Sequence, residues 1–75
     1  MNRLKHYREQ AGISQLRLAE LCGWASQSRI STYESGRTPA LDDCRTIVRA
    51  LNSRLSTEAT IDDVFPPGDD AEQAA

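Results

Sequence analysis

Apolar positions recur at spacings of three and four along most of the chain, the period of helices with one buried face. Leu4, Tyr7 and Ala11 predict a helix over residues 2–11, and Gly12 suits the left-handed backbone just past its end. Ile13 follows as a buried hinge hydrophobe, and Ser14 is a good N-cap for a second helix over 15–22. That helix carries Leu18, Ala19 and Cys22 on one face and stops at Gly23. After Trp24 and Ala25, Ser26 is the next N-cap, for a third helix from about residue 27 to 35. Ile30, Tyr33 and Glu34 share its inner side, and Gly36 ends it. Arg37-Thr38-Pro39-Ala40 reads as a loop, because Thr38 is biased away from helix by the proline that follows it. A fourth helix over about 41–51 places Leu41, Cys44, Ile47, Val48 and Leu51 on one face. Asp42 and Asp43 in its first turn suit the helix dipole.

Residues 52–60 read as a loop, and Thr60 caps a short last helix over 61–65, with Leu55, Ile61, Val64 and Phe65 placed to close the core. Strand alternation and internal repeats do not appear. The expected fold class is all-α, a compact bundle of four to five short helices built on one domain, residues 1–65. Residues 66–75 form an acidic tail, small and polar enough to be expected disordered.

Composition narrows the function. A chain of 75 residues makes one domain at most, and a domain of this size buries only about 60% of the surface of its unfolded chain. No apolar run reaches the roughly 18 residues that a membrane span needs. The first six residues lack the apolar stretch of a signal peptide, so a cytoplasmic protein is the expectation. Cys22 and Cys44 belong to no C-x-x-C pair and His6 is the only histidine, which argues against a zinc site. The two cysteines read as small buried hydrophobes in a reducing compartment. No Ser or Cys has a general base near it in sequence, and no glycine-rich phosphate loop occurs. An enzyme, a cofactor and a small-molecule ligand are therefore not expected.

The formal net charge of −2 looks unfavourable for a nucleic-acid partner, but its distribution reverses the inference. All nine Lys and Arg lie between Arg3 and Arg54, leaving residues 1–55 at +4, whereas residues 56–75 stand at −6. A basic body can bind phosphates, because local charge sets the field at a contact surface.

The second and third helices, joined by a tight turn, meet the needs of a groove reader. Ser14 and Gln15 give a capped helix start and a polar side chain where unpaired N–H groups attract phosphate. With Ile30 pointing to the core, Ser28 and Thr32 lie nearly opposite it on the third helix. Gln27 stands at the leading end, and Arg29 and Ser31 lie on the two flanks. Gln can pair with adenine through two hydrogen bonds, Ser and Thr with several base edges, and a Thr methyl can meet that of thymine. No acid stands on this outer face. Base-reading candidates are thus Gln27, Ser28, Thr32 and Arg29, and phosphate candidates are Gln15, Ser26, Arg37 and Thr38. Arg3, Lys5 and Arg17 read as solvated charges.

The stretch Leu4-Lys5-x-x-Arg8-x-x-x-Gly12-Ile13-Ser14-Gln15-x-x-Leu18-Ala19, then Ile30-Ser31-x-Tyr33-Glu34-x-Gly36 and Pro39-x-Leu41, resembles the phage repressor/Cro helix-turn-helix family. The resemblance covers roughly residues 3–65 and implies a five-helix bundle whose second and third helices read double-stranded DNA. It implies that Gln15 anchors phosphate, that Gln27, Ser28 and Thr32 read bases, and that Arg37 contacts the backbone. It also implies an internal ion pair between Arg8 and Glu34 that ties the first helix to the third. Such proteins bind as homodimers to half-sites about one helical turn apart. The dimer surface is expected at the last helix and the loop before it, around Leu55, Ile61, Val64 and Phe65.

Departures from the pattern are confined to a few places. The turn Gly23-Trp24-Ala25-Ser26 is one residue longer than the common spacing, and either Trp24 or Ala25 fills its hydrophobic position. Leu16 and Leu21 stand where polar residues are usual, with Trp24 as their expected packing partner, and segment 52–60 is longer than usual. The expected function is a sequence-specific transcriptional regulator, most simply a repressor reading a two-fold operator. The alternative is an antitoxin or similar module that sequesters a partner protein, with the acidic tail as the binding piece.

Overall fold

The computed structural model describes residues 2–66, and five helices form among them: α1 Leu4–Gln10, α2 Gln15–Cys22, α3 Ser28–Glu34, α4 Leu41–Asn52 and α5 Ile61–Val64. The fold is all-α, without a strand among the described residues. The expected acidic tail, residues 66–75, lies outside the described residues except for Pro66.

Two glycines shape the first half of the bundle. Gly12 has φ 72° and Gly23 has φ 81°, the left-handed region where a Cβ is disfavoured. Past α1, the Gly12 N–H donates to the Glu9 carbonyl and the Ile13 N–H to the Arg8 carbonyl. Past α2, the Gly23 N–H donates to Glu20 and the Trp24 N–H to Ala19. Both ends are therefore Schellman caps, and each brings the next hydrophobe back against the helix it has left. Ile13 and Trp24, delivered in this way, pack against the core.

The starts of the helices are fixed by short polar side chains. Ser14 Oγ accepts from the Arg17 N–H at 3.0 Å and begins α2. Thr60 and Asp63 form a reciprocal capping box at α5, which explains how a single helical turn persists. α1 begins two residues later than the apolar spacing predicts. Asn2 Oδ1 accepts from the Leu4 N–H, and the Arg3 N–H is spent on the Val64 carbonyl at 2.8 Å, tying the start of the chain to α5.

The core is built from Leu4, Leu18, Ala19, Ile30, Cys44, Ile47, Val48, Ala50, Leu51, Ala59, Val64 and Phe65. α4 supplies five of these and packs against α2 and α5, while α3 packs against α2 and α1. The loop before α5 is closed by Asn52. Its side chain accepts from the Ala59 N–H at 2.8 Å and donates to the Ala59 carbonyl at 2.9 Å, burying Ala59.

Two expectations of packing change here. Leu41, assigned from periodicity to the buried face of α4, is the first residue of that helix and is 56% exposed. Leu16 is 47% exposed rather than packed away, while Leu21 is partly buried against the core. Val64 and Phe65 are buried within their own chain and complete the core, whereas Leu55 and Ile61 keep an exposed part. No helix among the described residues is long and apolar enough to cross a membrane.

Candidate nucleic-acid interface

α3 is a seven-residue helix with one buried residue, Ile30. Its outward residues Ser28, Ser31 and Thr32 are all exposed, as is Gln27 just before them. The helix starts one residue later than Ser26 capping implies. Gln27 has helical backbone at the cap position and makes no side-chain capping bond. Ser26 Oγ instead accepts from the Ser28 N–H at 3.2 Å, a serine turn two residues long that still satisfies one unpaired donor. Thr32 Oγ1 donates to the Ser28 carbonyl at 2.9 Å, which commits its proton to the backbone and leaves the oxygen as an acceptor.

Trp24 takes the hydrophobic position of the turn: it is half-buried, whereas Ala25 is exposed. The Trp24 ring meets Tyr33 edge-on, with centroids 6.5 Å apart, and Arg29 stacks its guanidinium 4.4 Å from the Trp24 ring centre.

Two polar clusters hold α3 from opposite sides. Toward α1, Arg8 Nε donates to Glu34 Oε2 at 2.6 Å and Arg8 Nη2 to Oε1 at 3.4 Å. Arg8 Nη1 also donates to the Ile13 carbonyl at 2.9 Å. The two side chains are only 12% and 7% exposed. Gln15 joins this cluster by donating from Nε2 to Glu34 Oε1 at 3.0 Å. The Gln15 side chain is thereby oriented at the start of α2, with a second N–H and its carbonyl left for another partner. Asn2 adds a bond from its amide to the Tyr33 carbonyl at 2.8 Å.

Toward α4, the Tyr33 hydroxyl donates to Asp43 Oδ2 at 2.6 Å. The other Asp43 oxygen lies 3.7 Å from Arg29 Nη1. Burial, then the hydrogen bond and charge of Asp43, push the Tyr33 hydroxyl above its ordinary pKa. Cys22, half-buried beside this cluster, is pushed up to about 11 by burial first and by Asp43 second. Its thiol is thus protonated at neutral pH. Cys44 is buried and donates to the Pro39 carbonyl at 3.6 Å.

The structure brings together Gln15, Arg8 and Glu34 in one cluster and Ser26, Gln27, Ser28 and Thr32 along the leading edge of α3. Arg29 departs from that edge, because Trp24 and Asp43 draw its side chain to the flank. Arg37 is exposed just past α3 and Thr38 is half-buried. Arg3 and Lys5 are exposed, and Arg17 is paired with Glu20 at 3.2 Å. Asp43 was read from the sequence only as a partner for the helix dipole. Its contacts to Tyr33 and Arg29, ten and fourteen residues away, follow no local spacing and emerge only when α4 is placed beside α3.

A family model described as a helix-turn-helix domain matches residues 2–59. The chain belongs to that family, and it is a helix-turn-helix DNA-binding domain in which α2 and α3 form the motif. No match is found among curated proteins or among solved structures.

Proposed function

We propose that the chain is a sequence-specific transcriptional regulator, most simply a repressor of the phage and prophage type, acting in the cytoplasm. It lays α3 in the major groove of a two-fold operator and binds as a homodimer. Gln27, Ser28 and Thr32 read base edges. Gln15, Ser26, Arg37 and Thr38 contact phosphates on either side, and Arg29 works from the flank.

The observation that supports this most is the asymmetry of α3. Its inner edge is tied to α1 through Glu34 and to α4 through Tyr33, while its outer edge is a row of exposed, uncharged hydrogen-bonding side chains. A surface helix with no groove to enter usually carries charged residues on that side. A fixed inner edge also places outer side chains well enough for base edges to be discriminated. For the dimer, Leu55 and Ile61 remain as apolar contacts beside α5. No feature of the described residues adds to the protein-sequestering alternative.

Selection of bound duplexes from a random pool tests this reading. The expected result is a two-fold motif with half-sites about one helical turn apart, and affinity that falls steeply with salt. Enrichment of no sequence at any salt concentration would remove the reading.

A further inference from the structure

Arg29 carries a positive charge in the first turn of α3, yet it is not simply a solvated cation. Its side chain is half exposed, stacked 4.4 Å from the centre of the Trp24 ring and 3.7 Å from an Asp43 oxygen. The Asp43 contact is longer than a hydrogen bond and acts through charge. The Asp43 side chain is 25% exposed and is itself held by the Tyr33 hydroxyl, so its position is fixed from α3. An anion is thus built in beside a cation on the flank of the reading edge.

We propose that Asp43 attenuates the affinity of the domain for DNA. By pairing with Arg29 against Trp24, it withdraws one cation from the phosphate backbone and so lowers the sequence-independent part of binding. This rests on the reading that α3 enters the major groove. Each cation that neutralises a phosphate releases counterions and adds about 0.9 to the slope of log affinity against log salt, whatever the sequence. Hydrogen bonds from Gln27, Ser28 and Thr32 to base edges carry no such term. Muting Arg29 therefore weakens binding to any duplex while leaving the sequence-reading contacts in place. Asp43 has no base edge to meet; its effect is exerted through Arg29.

The test is the salt dependence of binding to a labelled 20-base-pair duplex of random sequence, measured with the full chain. Asp43→Asn keeps an oxygen to accept from Tyr33 and removes only the charge. It is expected to tighten binding about threefold or more at low salt and to steepen the slope by about 0.9. In an Arg29→Gln background the same substitution is expected to leave the slope unchanged. Tyr33→Phe loses the hydrogen bond to Asp43 but keeps both charges, and is expected to steepen the slope by clearly less than Asp43→Asn does. An unchanged slope in Asp43→Asn overturns the proposal. So does an equal steepening without Arg29, which would make the effect a general relief of repulsion, or an equal shift in Tyr33→Phe, which would make it a loosening of the fold. A parent chain that binds no duplex even at low salt overturns the DNA-reading function and this inference with it; a parent that binds normally beside an unresponsive Asp43→Asn overturns the inference alone.

Discussion

On its α1 side, the reading helix is gripped by a nearly dry cluster: Arg8, Glu34 and Gln15 share four hydrogen bonds including that to Ile13, and the charged pair is 12% and 7% exposed. On its α4 side, one short bond joins Tyr33 to Asp43, and the charged pair beyond it is 50% and 25% exposed at 3.7 Å. The same residue types, an arginine and a carboxylate, serve both sides, so burial is what separates their roles. In the dry cluster a lost partner strands a charge that cannot reach water. In the wet one, solvent replaces the partner at little cost, which leaves that side available to set surface charge. The first cluster fixes where α3 sits, and the second trims what α3 presents.

Breaking the dry side carries the largest effect. Arg8→Met is expected to cost about 3 kcal/mol in urea unfolding, because Glu34 is left with Gln15 alone. The double variant Arg8→Met with Glu34→Leu should recover much of that loss, since no buried charge remains. A cost below about 1 kcal/mol for Arg8→Met, within the range of exposed pairs, would erase the contrast.

Gly23→Ala comes next, at about 1–2 kcal/mol, for a residue forced into φ 81°. Nothing lies within 4 Å of the added Cβ, so the loss is of backbone origin and should leave the packing of Trp24 intact. Native-like tryptophan fluorescence in a less stable variant is the expected outcome. A smaller loss of stability is expected at alkaline pH. Cys22 is raised from 9.0 to about 11 in the folded chain, so the stability associated with its neutral form is complete below pH 9.0 and is lost as pH rises toward about 11. Tyr33 acts in the same direction from its ordinary 10.0 upward. Cys22→Ser should flatten the first part of that decline, and an unchanged pH profile would remove the assignment. The smallest effect is expected on the wet side, where Arg29→Gln should change stability by less than about 1 kcal/mol.

Much of the fold was legible because short-range rules fix it. Glycines at positions 12 and 23, serine at 14 and threonine at 60 mark helix ends by their own backbone and hydroxyl chemistry. The apolar period placed Leu18, Ile30, Ile47 and Leu51 inside. Where the sequence reading slipped, tertiary context decides. Leu41 satisfies the period of α4, but its side chain at the start of that helix is left largely exposed. The start of α3 shifted by one residue because the serine turn at Ser26 and a capped helix use the same donors with different spacing. The candidate site was legible as a face of α3, while its supports were less so. Arg8 and Glu34 are 26 residues apart and were paired through family resemblance rather than spacing, and the link from Asp43 to Tyr33 had no signal in the chain at all.

The outer edge of α3 is where these arguments meet, and Thr32 stands exposed on it. The direct measurement compares sequences enriched from one random duplex pool by the parent chain and by Thr32→Ala. The expected result is a motif in both, with the preference at one position of each half-site reduced about tenfold or more in the variant and the other positions kept. Identical motifs from the two chains, or an equal weakening at every position, would contradict the assignment of α3 as the reading element.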